Sequence, residues 1–495
     1  MPPRLAARDY TGLLLLTVAA FVLHGYHYGV QDQGIYLPAV KKLLDPSLYP
    51  HDAQYFLSQT RWVLFDKMLA ALARGAGLSL EATLLPVQAG SVFLILLGCL
   101  RIARRCFPTS AGPWAAVALL AAVLVMPASG TRIPMVDNHA HPRNLATAAL
   151  LLAFPLALDR RPLALVGIVL AALVHPISAA IGAVHMAVAA GNFRGRFPFV
   201  ALLVPLALAP GPAPGAWEQV LHTYRYYYLW GWNWYEWIGA AGPVGFLWWY
   251  SRRGGEAGPR LAGRMALSTG LFIAGAAVIS TVPQLEPLVV LQPMRSLHLA
   301  YIFFWLFLGG WLAERWLGAR PFRWALLFLP ACAGMTWFQL YYYPNTPHFE
   351  WPGRASRNEW VAGFDWARQN TPRDAFFALD PLYLQRPGAD WHGFRALAER
   401  SSTVDYIKDR AVASLTPSLA AEWVAQWRAV EQWRTFSAAD FARLRARHGV
   451  TWVVIEQPGI AGLECPYANA RVRVCRTPDA REGSAEPRPG GPSTP

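Results

Sequence analysis

Arg160-Arg161-Pro-Leu163-Ala-Leu-Val-Gly-Ile-Val-Leu-Ala-Ala-Leu-Val174-His175-Pro176-Ile177-Ser-Ala-Ala-Ile-Gly-Ala-Val-His-Met-Ala-Val-Ala-Ala190 is an apolar run broken once, at His175-Pro176, and followed by Arg194 and Arg196. Read as one helix, it would cross a bilayer once and leave the two arginine pairs on opposite sides. Read as two short helices, 163–174 and 177–190, it brings both pairs to the same side. Proline lacks a backbone N–H, and the residue before it is biased away from helical dihedrals, so a break at 175–176 is the expected outcome. Short basic loops mark the cytoplasmic face, which also selects the two-helix reading. Broken backbone at membrane depth is tolerated where other protein covers it.

Extending that register outward gives about eleven spans: 11–30, 82–100, 113–128, 144–158, the pair just described, 198–210, 237–250, 262–282, 296–313 and 323–341. The remaining basic clusters then fall on one side: Arg4 and Arg8, then Arg101, Arg104 and Arg105, then Arg252 and Arg253, and finally Arg315, Arg320 and Arg323. The apolar run after Arg4 and Arg8 is followed by His24-Gly25-Tyr26-His27-Tyr28 rather than a small-residue cleavage site, so it reads as a retained first helix. The N-terminus is expected in the cytoplasm, and the protein in the inner (plasma) membrane as a multi-pass chain.

Composition agrees with a lipid environment. The chain of 495 residues is 54% hydrophobic and only 15% charged, against about 25% charged for a soluble domain. The net charge of +14 is almost all arginine, because Lys41, Lys42, Lys67 and Lys408 are the only lysines. Scattered between apolar runs rather than gathered on one patch, these charges exclude nucleic acid as a partner and are explained by topology. The expected division is a helical membrane region 1–343 with a large outward loop 31–81, a soluble domain 344–476 on the far side, and a Pro/Gly-rich disordered tail 477–495. Cys465 and Cys475 lie in that domain about ten residues apart. They read either as one bridge, if the compartment is oxidising, or as two buried thiols.

The outward loops hold most of the polar residues able to do chemistry. In Gly29-Val30-Gln31-Asp32-Gln33-Gly34, Asp32 stands at the end of the first helix, with Asp52 further along the loop. A partly desolvated carboxylate there suits a general base, although a hydrated helix end carries the same residue. The second loop, Arg132-Ile-Pro-Met-Val-Asp137-Asn138-His139-Ala-His141-Pro142-Arg143-Asn144, reads three ways: a weak metal signature, an anion site at the start of the next helix, or ordinary interfacial polar residues. The third loop, with Tyr226, Trp230, Trp232 and Glu236 among many rings, reads as an aromatic belt or as a surface for sugar or lipid. Arg295 at the start of a span is on the wrong side for a casual arginine and suits phosphate. His175 at the proline turn is an ionisable group at membrane depth, or a histidine bonded to a nearby carbonyl.

In the C-terminal region, helices at 357–370, 417–434 and 438–447 alternate with strands near 375–379, 450–455 and 470–476, a small α/β pattern. Trp366-Ala-Arg-Gln-Asn-Thr-Pro-Arg-Asp-Ala375 and Phe441-Ala-Arg-Leu-Arg-Ala-Arg-His-Gly-Val-Thr-Trp-Val-Val-Ile455 stand there. Together with the acidic first loop and the Pro-broken helix pair, they resemble the GT-C superfamily of polyprenyl-phosphate-sugar-dependent glycosyltransferases, in particular its uncharacterised bacterial members.

That resemblance implies a mainly α, polytopic membrane helix bundle with a small extracytoplasmic α/β domain. It implies transfer of a sugar from a polyprenyl-phosphate donor in the bilayer to an extracytoplasmic glycan or protein acceptor in the cell envelope. Asp32 matches the family's acidic position in the first outward loop, but Gln31 and Gln33 flank it where a paired acid would stand, leaving Asp52 as the next candidate. Arg295, Arg143, His139 and His175 would receive the phosphate. No metal ligands are assigned; the chemistry leaves room for a divalent metal without requiring one. Two rival readings remain: a transporter or flippase for a lipid-linked or anionic substrate, with the broken helix lining its path, and a non-catalytic envelope assembly protein that has kept the fold.

Overall fold

The computed structural model describes residues 5–191, 213–255 and 257–478. The expected span 198–210, Arg194 and Arg196, the first two residues of the loop 211–236 and the tail from 479 lie outside the described residues. Contacts divide the chain into two units. One comprises Met1–His27, Trp62–Tyr342 and His348–Gly353; the other comprises Tyr28–Arg61, Tyr343–Pro347 and the chain from Arg354 onward. The division therefore falls elsewhere than the break expected near 344.

The first unit is helical. Leu80–Cys106, Gly258–Thr281 and Pro283–Leu317 are long and apolar enough to cross a membrane, and Ala111–Ala122, Pro142–Leu158, Ala164–Val174 and Pro176–Ala190 are shorter apolar helices. Among the described residues, three helices meet the length and apolarity of a span. Ala7–His24, Trp234–Ser251 and Pro321–Tyr342 also form helices near expected positions. Exposed apolar stripes run along Leu14, Val18 and Val22, along Leu165, Val169 and Leu173, and along Phe322, Leu326 and Leu329. Stripes of that extent need lipid rather than water around them, and the chain is a membrane protein.

The break at 175 is present. His175 leaves helical geometry at φ −153°, ψ 85°, ending Ala164–Val174, and its Nδ1 accepts the backbone N–H of Ser178 to cap Pro176–Ala190. Proline at the first position of the second helix forfeits an N–H that had no helical partner anyway.

Close helix packing in this unit rests on missing side chains. A Cβ on Gly98 would sit 2.8 Å from the Leu151 backbone, and one on Gly309 would sit 2.8 Å from the Ala115 carbonyl oxygen. Without a hydrophobic force between helices in lipid, such small-residue contacts supply the dispersion energy of association. Arg104 pairs with Asp9 at 2.5 Å, and Arg105 grips Asp159 at 2.8 and 2.6 Å, so the end of Leu80–Cys106 meets both the start of Ala7–His24 and the end of Pro142–Leu158. In the loop before Pro142–Leu158, β1 (Pro127–Ala128) and β2 (Ile133–Pro134) form a short antiparallel pair.

The first helix ends at His24 instead of near residue 30. Gly25 turns at φ 70°, and a Cβ there would lie 2.1 Å from the His348 carbonyl oxygen, so only glycine fits and the helix stops. Asp32 consequently does not end the first helix. It stands directly before the next one, Gln33–Leu44.

The second unit is α/β. Its five-stranded sheet contains β3 (Phe376–Leu379), β4 (Ser401–Ser402), β5 (Trp452–Glu456), β6 (Tyr467–Ala468) and β7 (Val472–Arg476) in the order β4-β3-β5-β7-β6. β3 runs parallel to β4 and β5, and the other pairings are antiparallel. One face of the sheet packs Val453, Ile455, Phe376 and Cys475 on Phe441 and Leu444 of helix Ala438–His448. Rings cover the other face, with Phe377 and Phe364 each about 5 Å from Phe394 and Trp366 against Trp452. Apolar cover on both faces explains why β5 reads as an unbroken apolar run. Cys465 and Cys475 are joined in a disulfide, their Cα atoms 3.9 Å apart.

Residues 28–61 fold within this unit. Ile35, Ala39, Leu48, Tyr49 and Phe56 close a small core with Val412. Lys41 pairs with Glu399 at 2.7 Å, and the Tyr49 hydroxyl donates to the Arg395 carbonyl at 2.8 Å.

Candidate functional site

In the first unit the expected phosphate-binding residues come together. Pro142 opens the helix Pro142–Leu158, and His141 caps it, its Nδ1 accepting the Arg143 backbone N–H at 3.0 Å. Arg143 then points back along the loop, one terminal nitrogen donating to both carboxylate oxygens of Asp137 at 2.7 and 2.8 Å. Asn144 locks the loop by donating to Gln88 Oε1 at 3.0 Å and to the His139 carbonyl at 3.1 Å, and Gln88 donates to the Asp137 carbonyl at 2.6 Å. The His141 ring lies 5.9 Å from that of His139 and 6.4 Å from that of His175.

Arg295 joins the same group electrostatically: its charge acts on His175 and on His298, as does that of Arg143. His298 donates Nε2–H to the Met135 carbonyl at 2.7 Å, which fixes its tautomer. Sequence reasoning missed His298, two residues past the segment in which Arg295 was noticed. The arrangement has two guanidinium groups and four imidazoles around one carboxylate, Asp137. The Nε–H groups of Arg143 and Arg295 are buried with no hydrogen-bond partner among the described residues, and the Ser296 hydroxyl beside Arg295 is likewise without one. Buried donors of this kind cost free energy unless an acceptor meets them.

The aromatic loop divides. Trp232 is buried and covers Gly130, where a Cβ would lie 2.3 Å from its ring, and its indole N–H donates to the Tyr226 carbonyl at 3.2 Å. Glu236 accepts the Asn233 backbone N–H at 2.7 Å and the Arg225 guanidinium at 3.1 Å, closing the start of Trp234–Ser251. Those two residues hold the loop in shape. Trp230 is 72% exposed and Tyr226 is half-buried.

In the second unit Asp32 sits on a tight turn. Gln31 has φ 52°, its backbone N–H reaches the Trp391 carbonyl at 2.9 Å, and the facing turn holds Asp390 and Trp391 at φ 46° and 65°. Left-handed dihedrals at three non-glycine residues store strain of about 1–3 kcal/mol each, which the surrounding structure must sustain. A Cβ on Gly393 would lie 2.7 Å from the Gly34 Cα, so glycine on both chains permits the approach. Lys408 donates to Asp32 Oδ1 at 2.7 Å and to Gln31 Oε1 at 3.1 Å. Lys408 is one of only four lysines in the chain, the signal that could have drawn attention to it.

Asp52 has a different environment. It is buried, accepts from Arg395 Nε, and takes the Ser402 backbone N–H at 3.0 Å. The same guanidinium donates to both oxygens of Asp409 at 2.9 Å. One cation thus serves two buried carboxylates with Asp405 close by, and the Asp409 carboxyl is pushed up to about 7, mainly by burial, against the opposing pull of Arg395. The unfolded carboxyl ionises near 3.9. Between these values the folded state therefore holds the extra proton. The contribution is complete below about 4 and is lost as pH rises through about 7. Melting of the purified protein from pH 4 to 8 should show this fall, and Asp409→Asn should flatten it; an unchanged slope in the variant would refute the assignment.

No family model matches the chain, and no curated protein matches it. Among solved structures, the chain is similar to an archaeal oligosaccharyltransferase. The apo crystal structure of the Archaeoglobus fulgidus enzyme is 13% identical, with 90% of this chain and 69% of that one covered and a TM-score of 0.41. The same organism's AglB in complex with an inhibitory peptide and a dolichol-phosphate is 13% identical over the same shares, with a TM-score of 0.39. The complex with Zn and sulfate is 14% identical over 90% and 67%, with a TM-score of 0.39.

Proposed function

We propose that the protein is a membrane glycosyltransferase that moves a sugar from a polyprenyl-phosphate donor to an extracytoplasmic acceptor. The observation that carries this reading is the cluster of the Arg143 and Arg295 guanidinium groups with the imidazoles of His139, His141, His175 and His298, in which two buried guanidinium N–H groups lack an acceptor among the described residues. A lipid-borne phosphate is the anion that a membrane-embedded cluster meets. In the proposed reaction an acceptor hydroxyl oxygen bonds to the anomeric carbon, the bond from that carbon to the phosphate oxygen breaks, and the hydroxyl proton passes to Asp32. Arg295 stabilises the charge that develops on the departing phosphate. Lys408 acts as a positioning residue that orients the Asp32 carboxylate. Trp230 and Tyr226 offer faces for the sugar or the isoprenoid chain. The register of about eleven spans, an N-terminus in the cytoplasm and the second unit in the periplasm belong to the same proposal.

Arg295 provides the test, because Arg143 already pairs with Asp137 and its loss would disturb the loop. Removing one donor to a developing oxyanion typically costs about 10²–10³-fold in rate. Arg295→Ala is expected to lose transfer from a polyprenyl-phosphate sugar by about that factor and to weaken binding of the polyprenyl phosphate, with Arg295→Lys partly rescuing both. Transfer by Arg295→Ala within a few-fold of wild type would overturn the reading. Intact phosphate-lipid binding with no transfer by the wild-type protein would favour a carrier or an assembly protein.

A further inference from the structure

We propose that Glu218, His222 and Glu286 form a divalent transition-metal site that fastens the aromatic loop to the segment leading into Arg295. The site does not depend on the transfer reaction. Glu218 and His222 are four residues apart on the helix Ala216–His222, so both side chains leave one face a single turn apart. Glu286 comes from a separate segment, the 3-10 helix Pro283–Leu291. One donor atom from each of the three residues can be chosen so that all lie within 4.8 Å of one another. Ligand bonds of about 2.0–2.2 Å place tetrahedral donors about 3.3 Å apart, so an ion entering the trio would widen the His222–Glu286 approach and draw Glu218 in.

The supporting contacts are those a metal site needs. His222 Nε2 and Glu286 Oε1 are 2.6 Å apart, already facing each other. The Tyr228 hydroxyl donates to the same Glu286 oxygen at 2.8 Å, and its ring stands edge-on to His222 with centroids 5.6 Å apart. Such outer partners fix the orientation of ligating groups. One imidazole and two carboxylates suit zinc or manganese better than calcium, which prefers an all-oxygen shell. The His222 side chain is half exposed, so an ion can reach it and water can complete its coordination. The same two segments are also tied by Gln292 donating to the Tyr227 hydroxyl at 3.2 Å, three residues before Arg295. An ion at the trio would make that tie rigid.

The test uses the full chain in detergent, free of any affinity tag, stripped with EDTA and titrated with zinc chloride and with manganese chloride. Wild type is expected to bind one equivalent of zinc, more tightly than manganese, and to melt at a higher temperature with zinc. Loss of an outer-shell partner alone costs about 10–100-fold in affinity, so His222→Ala and Glu286→Gln should each lower zinc affinity by at least tenfold. Both should abolish the zinc-dependent rise in melting temperature while melting as wild type without metal. If Glu286→Gln is itself destabilised, Glu218→Gln at an exposed position carries the same expectation. His139→Ala, in the separate cationic cluster, should bind zinc as wild type does. The proposal is overturned if wild type binds no zinc, if the His222→Ala, Glu286→Gln double variant binds it normally, or if His139→Ala abolishes binding. The trio would then be an ordinary His–Glu ion pair.

Discussion

Asp32→Asn is expected to lower glycosyl transfer by about 10²–10⁴-fold, the usual contribution of a positioned general base. Asparagine keeps the size and the acceptor oxygen of the residue but cannot take up a proton. The turn should survive the change, because its backbone is held by the Gln31 N–H to the Trp391 carbonyl and by the close pass of Gly34 and Gly393 rather than by the carboxylate. The melting temperature and the binding of polyprenyl phosphate should therefore stay near wild type while turnover falls. Lys408→Met should produce a smaller loss and, because it acts by orienting the carboxylate, a changed pH profile. Transfer by Asp32→Asn at close to the wild-type rate would remove the base from the mechanism.

The second large effect concerns stability. Arg395→Ala should destabilise the second unit by about 3–5 kcal/mol, because it leaves Asp52 and Asp409 buried without their cation. It also strands the Ser402 carbonyl, which accepts from the same guanidinium at 3.0 Å. A replacement of the whole network by apolar residues, Arg395→Met with Asp52→Leu and Asp409→Leu, should recover much of that loss, since the penalty comes from unpaired charge rather than from a missing attraction. Chemical unfolding followed by tryptophan fluorescence reads both. Equal loss in the single and the triple variant would show that packing rather than charge is the cause.

Local features of this chain were legible in its residues. The break at His175-Pro176, the helices Pro142–Leu158 and Ala438–His448, and the strand Trp452–Glu456 follow from apolar runs, proline and glycine, which act within a few residues. β4 and β6, two residues each, leave no pattern to find. Pairings across long separations were also hidden. Nothing near Asp52 announces Arg395, and nothing near Asp32 announces Lys408, because charged partners leave no periodicity. The gathering of Arg143, His139, His175 and Arg295 was inferable only through chemistry, as residues unusual for a membrane position. Asp52 was noticed for the same reason, yet burial and Arg395 give it a structural part in the fold.

The interleaved makeup of the second unit has a consequence for how the protein is made. Asp52 meets Arg395 across 343 residues of chain. At about 5–20 residues per second, a ribosome needs roughly 17 to 70 seconds to deliver the partner. During that interval the segment 28–61 waits with the apolar faces of Ile35, Leu48 and Phe56 uncovered, while the helices between are being inserted. The nascent chain is thus exposed to proteases and chaperones at its first loop until its last third emerges. Asp32 cannot acquire Lys408 any sooner, so a chain that stops before residue 408 lacks that ion pair as well.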